Sequence, residues 1–314
     1  MHTDTVTGKA LTVSATYTKY APLFAQVFAL SKFNSFPNRF ISLNFNKGRR
    51  LNMQKISSKE NSLIKHIKKL KEKKYRDEYN EFIIEGTKML KEALKEKAKI
   101  DKIVFSESFI ENNNIEEFLS KDISPKDIIC VPDSIFEMIT EVGTPQGTLA
   151  IIKKEQERDI EDLKGECFIA LDELQDPGNL GTILRTADSA NIKNILVSKG
   201  TVDCYSSKVV RATMGAIFRI KVIECENLRK SLEILKNKGY NIIVTSLDAQ
   251  KSIYDINYEK SIIVIGNEAN GVSKEIQEIA TNKVIIPMLG NTESLNASVA
   301  TGIVIYEYVR QKIK

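Results

Sequence analysis

From residue 165 onward, short apolar segments alternate with longer segments in which apolar residues recur at helical spacing. The apolar segments are rich in β-branched residues, as strands are when helices cover both faces of a sheet. We therefore predict an open, mostly parallel α/β sheet with strands at residues 167–171, 194–197, 218–222, 241–246, 262–265 and 283–286. Helices are predicted around these strands, at residues 179–190, 206–212, 228–238, 274–280 and 295–310.

The chain of 314 residues is longer than one hydrophobic core usually supports, which favours two domains. A basic amphipathic segment and several short strands predict a smaller α/β domain over residues 53–153. The charged residues 154–164 are the expected linker, and residues 165–314 form the second domain.

Residues 1–52 show neither a helical nor a strand period and are rich in Ser, Thr, Asn and Phe. Two interpretations stay open: a targeting segment, or an extension upstream of a natural start at Met53. We expect this extension to be largely disordered.

The inventory of reactive side chains excludes several kinds of site. The four cysteines, at positions 130, 167, 204 and 225, form no C-x-x-C pair, which is typical of a reduced cytoplasmic protein. Only His2 and His66 are present, so a His-based zinc site or a Ser-His-Asp triad in the second half of the chain is excluded, and no metal is expected. No apolar run reaches the roughly 20 residues that a membrane-spanning helix needs.

The formal net charge of +5 is distributed unevenly, with the basic residues in excess near the N-terminus. Residues 1–52 hold a single acidic residue, Asp4, and the lysine-rich residues 53–76 hold only Glu60 and Glu72. Such a field is typical of a protein that binds a phosphate backbone. A solvated, lysine-rich helix face is the alternative. Residues 58–76 predict a basic amphipathic helix, with apolar residues at Leu63, Ile64, Ile67 and Leu70.

Three polar clusters follow predicted strand ends in the second domain, at the edge of a parallel sheet where ligands bind. The first, D-P-G-N-L-G-T-I-L-R-T-A at residues 176–187, places Asn179 in the first turn of a helix and Arg185 nearly two turns later. A helix N-terminus and a guanidinium both suit anions. The alternative is an ordinary strand–helix turn with a surface arginine. The cluster lacks the G-x-G-x-x-G pattern of nicotinamide-binding sites.

The second cluster is V-I-G-N-E-A-N-G-V at residues 264–272, in which a strand ends at Gly266 and Glu268 follows in the loop. The third is I-P-M-L-G-N-T-E-S-L-N-A-S-V-A at residues 286–300, with Ser294 and Asn296 near the start of a helix. Taken singly, Glu268 is equally explained as an exposed loop acid, Ser294 as a helix N-cap, and Asn296 as a local hydrogen-bonding residue.

Together, the three clusters resemble, in order and spacing, the three motifs of the SpoU–TrmH methyltransferases. The resemblance covers about residues 165–310, and residues 206–218 also resemble the family's segment between its first two motifs. Ala269 and Ala297 depart from the family pattern, which commonly has a glycine and a larger apolar residue at these positions. The first domain is similar to the family's substrate-binding domain, which resembles ribosomal protein L30e; the similar residues are 82–86 and 144–147.

The resemblance implies a trefoil-knot α/β domain that binds S-adenosyl-L-methionine, with a cradle formed by Leu247, Gly266, Ile286 and Leu295. It implies a homodimer that methylates a ribose 2′-hydroxyl in RNA. Ribosomal RNA, here 23S rRNA, is favoured over tRNA as the substrate. A catalytically inactive, knotted RNA-binding protein is the alternative.

The residues that the resemblance implies in catalysis are Arg185, Asn179, Glu268, Ser294 and Asn296. Because a guanidinium with a pKa above ~12 is a poor base, we expect Arg185 to bind phosphate and to stabilise the developing alkoxide. Asn179, Ser294 and Asn296 are expected to order the loops, Arg185 and the ribose. Three roles stay open for Glu268: binding a cation, binding a loop amide, or accepting a proton.

Overall fold

The computed structural model describes residues 38–44, 50–118, 123–155 and 159–313. The first domain contains a six-stranded mixed sheet in the order β1-β2-β5-β4-β6-β3. Its strands are β1 (Asn38–Asn44), β2 (Arg50–Ile56), β3 (Glu81–Glu85), β4 (Ile100–Ser106), β5 (Ile128–Val131) and β6 (Thr148–Lys153). The helices are α1 (Ser62–Lys69), α2 (Lys73–Tyr79), α3 (Thr87–Lys95), α4 (Glu107–Asn112) and α5 (Asp133–Ile139).

The strands β1 and β2 form an antiparallel hairpin, and β2 joins the sheet by pairing Gln54 and Lys55 with β5. The predicted domain boundary at residue 53 therefore falls inside β2, and β1 lies within the extension that was predicted to be disordered. The remainder of that extension, residues 1–37 and 45–49, lies outside the described residues. A strand that is completed by pairing with residues about 75 positions away shows no local period, because register is fixed by the partner strand.

The basic segment at residues 58–76 forms two helices, α1 and α2, rather than the single predicted helix. The chain leaves the first helix at Leu70, and the second begins at Lys73. Ile64, Ile67 and Leu70 are buried against the sheet, as the amphipathic pattern predicts.

The second domain contains a seven-stranded sheet in the order β11-β13-β10-β12-β7-β8-β9, and every strand pair in it is parallel. The strands are β7 (Cys167–Leu171), β8 (Asn194–Ser198), β9 (Lys221–Cys225), β10 (Asn241–Thr245), β11 (Lys251–Ser252), β12 (Ser261–Ile265) and β13 (Asn282–Ile285). The helices are α6 (Pro177–Ser189), α7 (Ser207–Ala212), α8 (Leu228–Asn237), α9 (Lys274–Glu278) and α10 (Ala297–Lys312). The prediction of an α/β protein with a mostly parallel sheet is confirmed.

One predicted strand, at residues 218–222, is displaced: a 3-10 turn at Ala216–Phe218 comes first, and β9 starts at Lys221. Ala216 and Ile217 of this turn are buried in the same core as residues of α6 and α7. Of the predicted strand, Phe218 belongs to the turn, and the strand begins three residues later than predicted.

Helices cover both faces of the parallel sheet. All five residues of β7 are buried, and they alternate between the two faces: Ile169 packs toward α6 and α10, whereas Phe168 packs toward α8. Where α6 crosses α7, a side chain on Gly181 would place its Cβ 2.4 Å from the Cβ of Ala212. The close crossing therefore requires glycine at this position.

The strand order interleaves the last part of the chain with an earlier part. Val284 of β13 pairs with Thr245 of β10 on one side and with Lys251 of β11 on the other. Residues 246–250, which connect β10 to β11, must therefore pass around the carboxyl end of β13. The chain that leaves β13 toward α10 runs next to this connection.

A buried ion pair and an aromatic contact join the two domains. Arg76 of α2 binds the carboxylate of Asp203, and both side chains are less than a tenth exposed. The same guanidinium donates hydrogen bonds to the carbonyls of Leu70 and Lys71 at 2.7 Å. The ring of Phe82 lies 4.9 Å from that of Tyr205. Arg76 is thus an interface residue, although it belongs to the basic segment.

Nowhere in the described part of the chain is a helix both long and apolar enough to span a bilayer.

Candidate active site

The three polar clusters meet at the carboxyl ends of β7, β12 and β13. The second and third clusters, with residues 245–248 after β10, line a cavity of about 680 Å³, and the first cluster lies beside it. All four residues predicted to cradle the cofactor line this cavity, together with Glu268, Ser294 and Asn296. The cradle residues come from three different connections, so only the folded sheet brings them together; they are Leu247, Gly266, Ile286 and Leu295.

Two side-chain hydrogen bonds join the three clusters. Asn179, in the first turn of α6, donates from Nδ2 to Glu268 Oε1 at 3.0 Å. Asn296 donates from Nδ2 to Asn179 Oδ1 at 2.9 Å. Asn179 is 8% exposed, so its amide is largely withdrawn from solvent and both of its polar atoms have a protein partner. We call Glu268, Asn179 and Asn296 the loop-bridging triad.

Glu268 binds loop amides. The backbone N–H groups of Gln175 and Asp176 each donate to its carboxylate at 3.0 Å, in addition to the bond from Asn179. Partial burial acts to raise the pKa of Glu268, but these hydrogen bonds outweigh it and hold the pKa below its usual value. The carboxylate is therefore charged at neutral pH, and it accepts three hydrogen bonds from the first cluster and the residue before it.

Asn296, rather than Ser294, is the N-cap of α10. Its Oδ1 accepts hydrogen bonds from the backbone N–H groups of Ser298 and Val299, at 2.9 and 3.3 Å, and from the Ser298 hydroxyl at 2.7 Å. The cap fixes the amide plane of Asn296, and so its Nδ2 points at Asn179. Ser294 lines the cavity, is exposed, and has no hydrogen bond to any residue in the described ranges.

Gly266 is required for the loop that contains Glu268. A Cβ at this position would lie 2.0 Å from the carbonyl carbon of Gly271 and 2.1 Å from the backbone nitrogen of Val272. The loop folds back on itself through mutual backbone hydrogen bonds between Asn267 and Gly271. The close contact at Gly266 is thus made by the protein's own backbone.

Arg185 lies on α6 six residues after Asn179, on an exposed face of the helix. It is not among the residues that line the cavity, and it makes no hydrogen bond or ion pair with any residue of the described segments. Its guanidinium is therefore free to bind a ligand outside the cavity.

Two residues that sequence reasoning missed connect the first and second clusters. The Asp172 carboxylate accepts a 2.8 Å hydrogen bond from the backbone N–H of Ser273. Asn267 donates from Nδ2 to the Glu173 carbonyl, and its Oδ1 caps the turn at Ala269 and Asn270. The available signal was position: Asp172 directly follows the buried strand β7, and Asn267 follows the buried strand β12 after one glycine.

The fold and site define a two-domain α/β protein with a ligand cavity at the carboxyl edge of a parallel sheet. Within the described residues, no group of three or more His, Cys, Asp or Glu side chains is arranged to hold a metal ion.

Residues 166–306 match the SpoU rRNA Methylase family, and residues 61–150 match the MRM3-like substrate binding domain. A Bacillus subtilis protein named 23S rRNA (guanosine(2553)-2′-O)-methyltransferase RlmP is 31% identical over 255 residues, which are 81% of this chain and 98% of that protein. A Sinorhizobium meliloti rRNA methyltransferase solved with bound AdoMet is 31% identical, with a TM-score of 0.72 over 82% of this chain and 97% of that one. A TrmH-family structure from Porphyromonas gingivalis gives a TM-score of 0.70 at 31% identity, over 79% and 96% of the two chains.

The chain belongs to the SpoU family of RNA methyltransferases. Both domains of the chain therefore have counterparts in that family, as the sequence motifs predicted.

We predict that Glu268→Gln lowers the free energy of unfolding by about 1 kcal/mol at pH 7, because a charged acceptor of backbone N–H groups is lost at a partly solvated position. The folded-state pKa of Glu268 lies below its ordinary value. The stabilisation from the charged carboxylate is therefore complete at pH values above the ordinary pKa. It is lost as the pH falls through the lower, folded-state pKa. Urea unfolding of both proteins from pH 8 to pH 3 measures this difference.

The matched control is Glu293→Gln, an exposed carboxylate that lines the same cavity without a hydrogen bond to any described residue. It should leave stability unchanged across the range. Equal effects of the two substitutions would contradict the bridging role of Glu268.

Proposed function

We propose that this protein transfers the methyl group of S-adenosyl-L-methionine to a ribose 2′-hydroxyl of ribosomal RNA, in preference to tRNA. The observation that carries the proposal is the loop-bridging triad, which joins the first family motif to the two motifs that line the cavity. The name of the Bacillus subtilis relative, a 23S rRNA 2′-O-methyltransferase, supports the substrate, because this chain covers 98% of that protein.

The cavity fits the cofactor. Its volume of about 680 Å³ lies within the range of small-molecule sites, roughly 300–1,000 Å³. Leu247, Ile286 and Leu295 supply apolar surface for an adenosine, and the Leu247 side chain is 65% exposed, available to cover a ligand. When bound, S-adenosyl-L-methionine supplies an electrophilic methyl group on a sulfonium. The AdoMet-bound relative from Sinorhizobium meliloti supports this assignment.

The polar residues of the site have different roles in this proposal. Glu268 accepts three hydrogen bonds and its pKa is lowered, which makes it a weak base, so its role is to order the loops rather than to take the hydroxyl proton. Asn179 and Asn296 hold each other in place. The free hydroxyl of Ser294 is available to the ribose.

Arg185, permanently charged and unpaired within the described residues, binds the phosphate beside the target ribose and stabilises the alkoxide. The proton passes to that phosphate or to water, since the guanidinium is too weak a base to accept it.

We expect Arg185→Ala to lower kcat for ribosomal RNA by a factor of about 10²–10³, the usual effect of removing a group that stabilises a transition-state charge. The affinity for S-adenosyl-L-methionine should stay unchanged, because Arg185 does not line the cavity. Single-turnover transfer of labelled methyl groups, read out as nuclease-resistant dinucleotides, measures the first quantity and calorimetry the second.

The kcat of Arg185→Lys should fall between those of the wild type and Arg185→Ala, because lysine keeps the charge and loses the fork geometry. Arg229→Lys, on the α8 surface, is the matched control. Near-full turnover by the Arg185→Lys enzyme would contradict a role that needs the fork. Binding of S-adenosyl-L-methionine without any methyl transfer by the wild-type chain would favour the inactive RNA-binding alternative.

The basic surface of α1 and α2 docks the RNA in this proposal. Lys69 and Lys74 place their ammonium groups 5.2 and 5.6 Å from the ring centre of Tyr75, and Tyr75 stacks on Tyr79 at 6.2 Å. Neither lysine forms an ion pair with a described residue, so both charges are available to phosphates. The match of residues 61–150 to a substrate-binding domain supports this role.

Replacing both lysines, Lys69→Gln and Lys74→Gln, should weaken RNA binding and reduce the slope of log K against log [salt] by about 0.7–0.9 for each phosphate that the variant no longer neutralises. Titrations at several salt concentrations measure the slope. Lys91→Gln is the control, because Lys91 of α3 is already paired with Glu117 at 2.7 Å. An unchanged slope in the double variant would remove α1 and α2 from the docking surface.

We propose that the protein is a homodimer that associates through α10. Val299 and Tyr306 lie two turns apart on that helix, about half exposed, with the partly exposed Gly302 and Ile303 between them. This spacing places the four residues on one face, an apolar stripe of the kind that packs against another helix.

Tyr306→Glu should convert the dimer to a monomer in sedimentation velocity, because a charge would be buried in an apolar contact. Tyr254→Glu is the control: Tyr254 is 57% exposed but lies outside α10. A wild-type protein that sediments as a monomer at micromolar concentration would reject the dimer.

We further infer that the connection at residues 246–250 and the chain leaving β13 form a trefoil knot, which the interleaving of β10, β13 and β11 supports. The four free, buried cysteines support action in a reducing compartment, and we propose the cytoplasm.

A further inference from the structure

The contacts of Arg219 extend from one domain to the other. This residue follows the 3-10 turn at Ala216–Phe218 in the second domain. Its Nη1 donates to Glu92 at 2.7 Å and to Glu96 at 3.3 Å, both at the C-terminal end of α3 in the first domain. Its Nε donates to Asp188 at 2.8 Å, in the last turn of α6. One guanidinium thus connects the RNA-docking domain to the helix that begins at the candidate active site.

The packing around this contact is built for close approach. Gly215 has a φ of +96°, and a Cβ there would lie 2.9 Å from Cγ and 3.0 Å from Cβ of Glu92. Any larger residue at position 215 would push α3 away from Arg219. The ion pairs are about three-quarters buried, and Asp188 is held from its other side by Lys193 at 2.9 Å. Partial burial acts to raise the pKa of Asp188, but the bonds from Arg219 and Lys193 outweigh it and keep the pKa low.

Arg76 and Arg219 fix the same interface at two separate places. Arg76 of the first domain binds Asp203 of the second, and Arg219 of the second binds α3 of the first. Two such contacts restrain rotation as well as separation. Of the two arginines, only Arg219 also contacts α6, which contains Asn179 and Arg185.

We propose that Arg219 is a positioning residue that locks the RNA-docking domain to α6, so that docked RNA reaches the active site in one fixed orientation. The effect of Arg219 on catalysis rests on the proposed function, whereas the fixed orientation of the two domains does not. A displacement of about 1 Å at a reacting group is enough to cost a factor of about 10² in rate. A docking domain free to rotate would bind RNA equally well and present it wrongly.

The test uses the full chain and two ways of cutting the lock. Arg219→Gln removes all three ion pairs, whereas the double variant Glu92→Gln, Glu96→Gln cuts only the link between domains and leaves Arg219 on Asp188. Arg219→Lys retains the charge. Arg229→Gln is the matched control, since Arg229 pairs with Glu233 and Glu278 inside one domain.

We call Arg219→Gln and the double variant Glu92→Gln, Glu96→Gln the lock variants. We expect both to lower kcat for ribosomal RNA by about tenfold to a hundredfold, with the affinities for RNA and S-adenosyl-L-methionine unchanged. Arg219→Lys should recover part of the rate. A purely structural defect would instead lower ligand affinity and thermal stability along with kcat. Unchanged kcat in both lock variants, or a loss of RNA affinity that matches the loss of kcat, would overturn the proposal.

Spin labels at Glu137→Cys and Glu275→Cys, both exposed and one in each domain, report the interdomain distance without any ligand. The four native cysteines are buried. The wild-type background should give one narrow distribution, and both lock variants a broad one. Equally narrow distributions in all proteins would refute the lock even if the protein methylates RNA. If the wild type methylates no RNA, but its distribution is narrow and those of both lock variants are broad, the proposed function is rejected and the lock is retained.

Discussion

The carboxylate of Glu268 is the group on which the candidate active site depends. It accepts hydrogen bonds from two backbone N–H groups of the loop after β7 and from Asn179, 89 residues away in sequence. Asn179 in turn accepts a hydrogen bond from Asn296, the N-cap of α10. Because the polar atoms along this path are partners of one another, moving any one loop leaves a partly buried polar group unpaired.

The parallel sheet makes such a short path possible. Ile265 of β12 pairs with Leu171 of β7, and the ladder continues one step further, since the Asp172 N–H donates to the Ile265 carbonyl at 2.9 Å. The two loops that follow therefore start side by side. Gly266 then lets the second loop turn back sharply enough to place Glu268 over the first. The hydrophobic core fixes where the loops begin, and the hydrogen bonds fix where they end.

The sequence contained the local part of this arrangement. Short β-branched strands were sufficient to predict the parallel sheet, and the polar residues behind them marked the edge where the site lies. The roles of individual side chains came only from the resemblance of the three clusters to family motifs. The partners were not predictable, because Arg76 and Arg219 bind carboxylates 127 residues away. The hairpin of β1 and β2 likewise depends on pairing with a distant strand, and the cap at Asn296 depends on a helix start that pattern alone places one or two residues differently.

Arg76 and Arg219 have structural roles, whereas Arg185 is available to a ligand. Arg76 and Arg219 direct their donors at protein carboxylates and carbonyls, so their geometry is set before any ligand arrives. Arg185 sits on the same α6 that Arg219 holds, yet it has no partner among the described residues. A fixed helix with an unpaired guanidinium presents a charge at a defined place at little cost, because the group stays solvated until it binds. Under the proposed function, the RNA phosphate is the partner that the fold leaves out, and rigid neighbours make its capture specific in position.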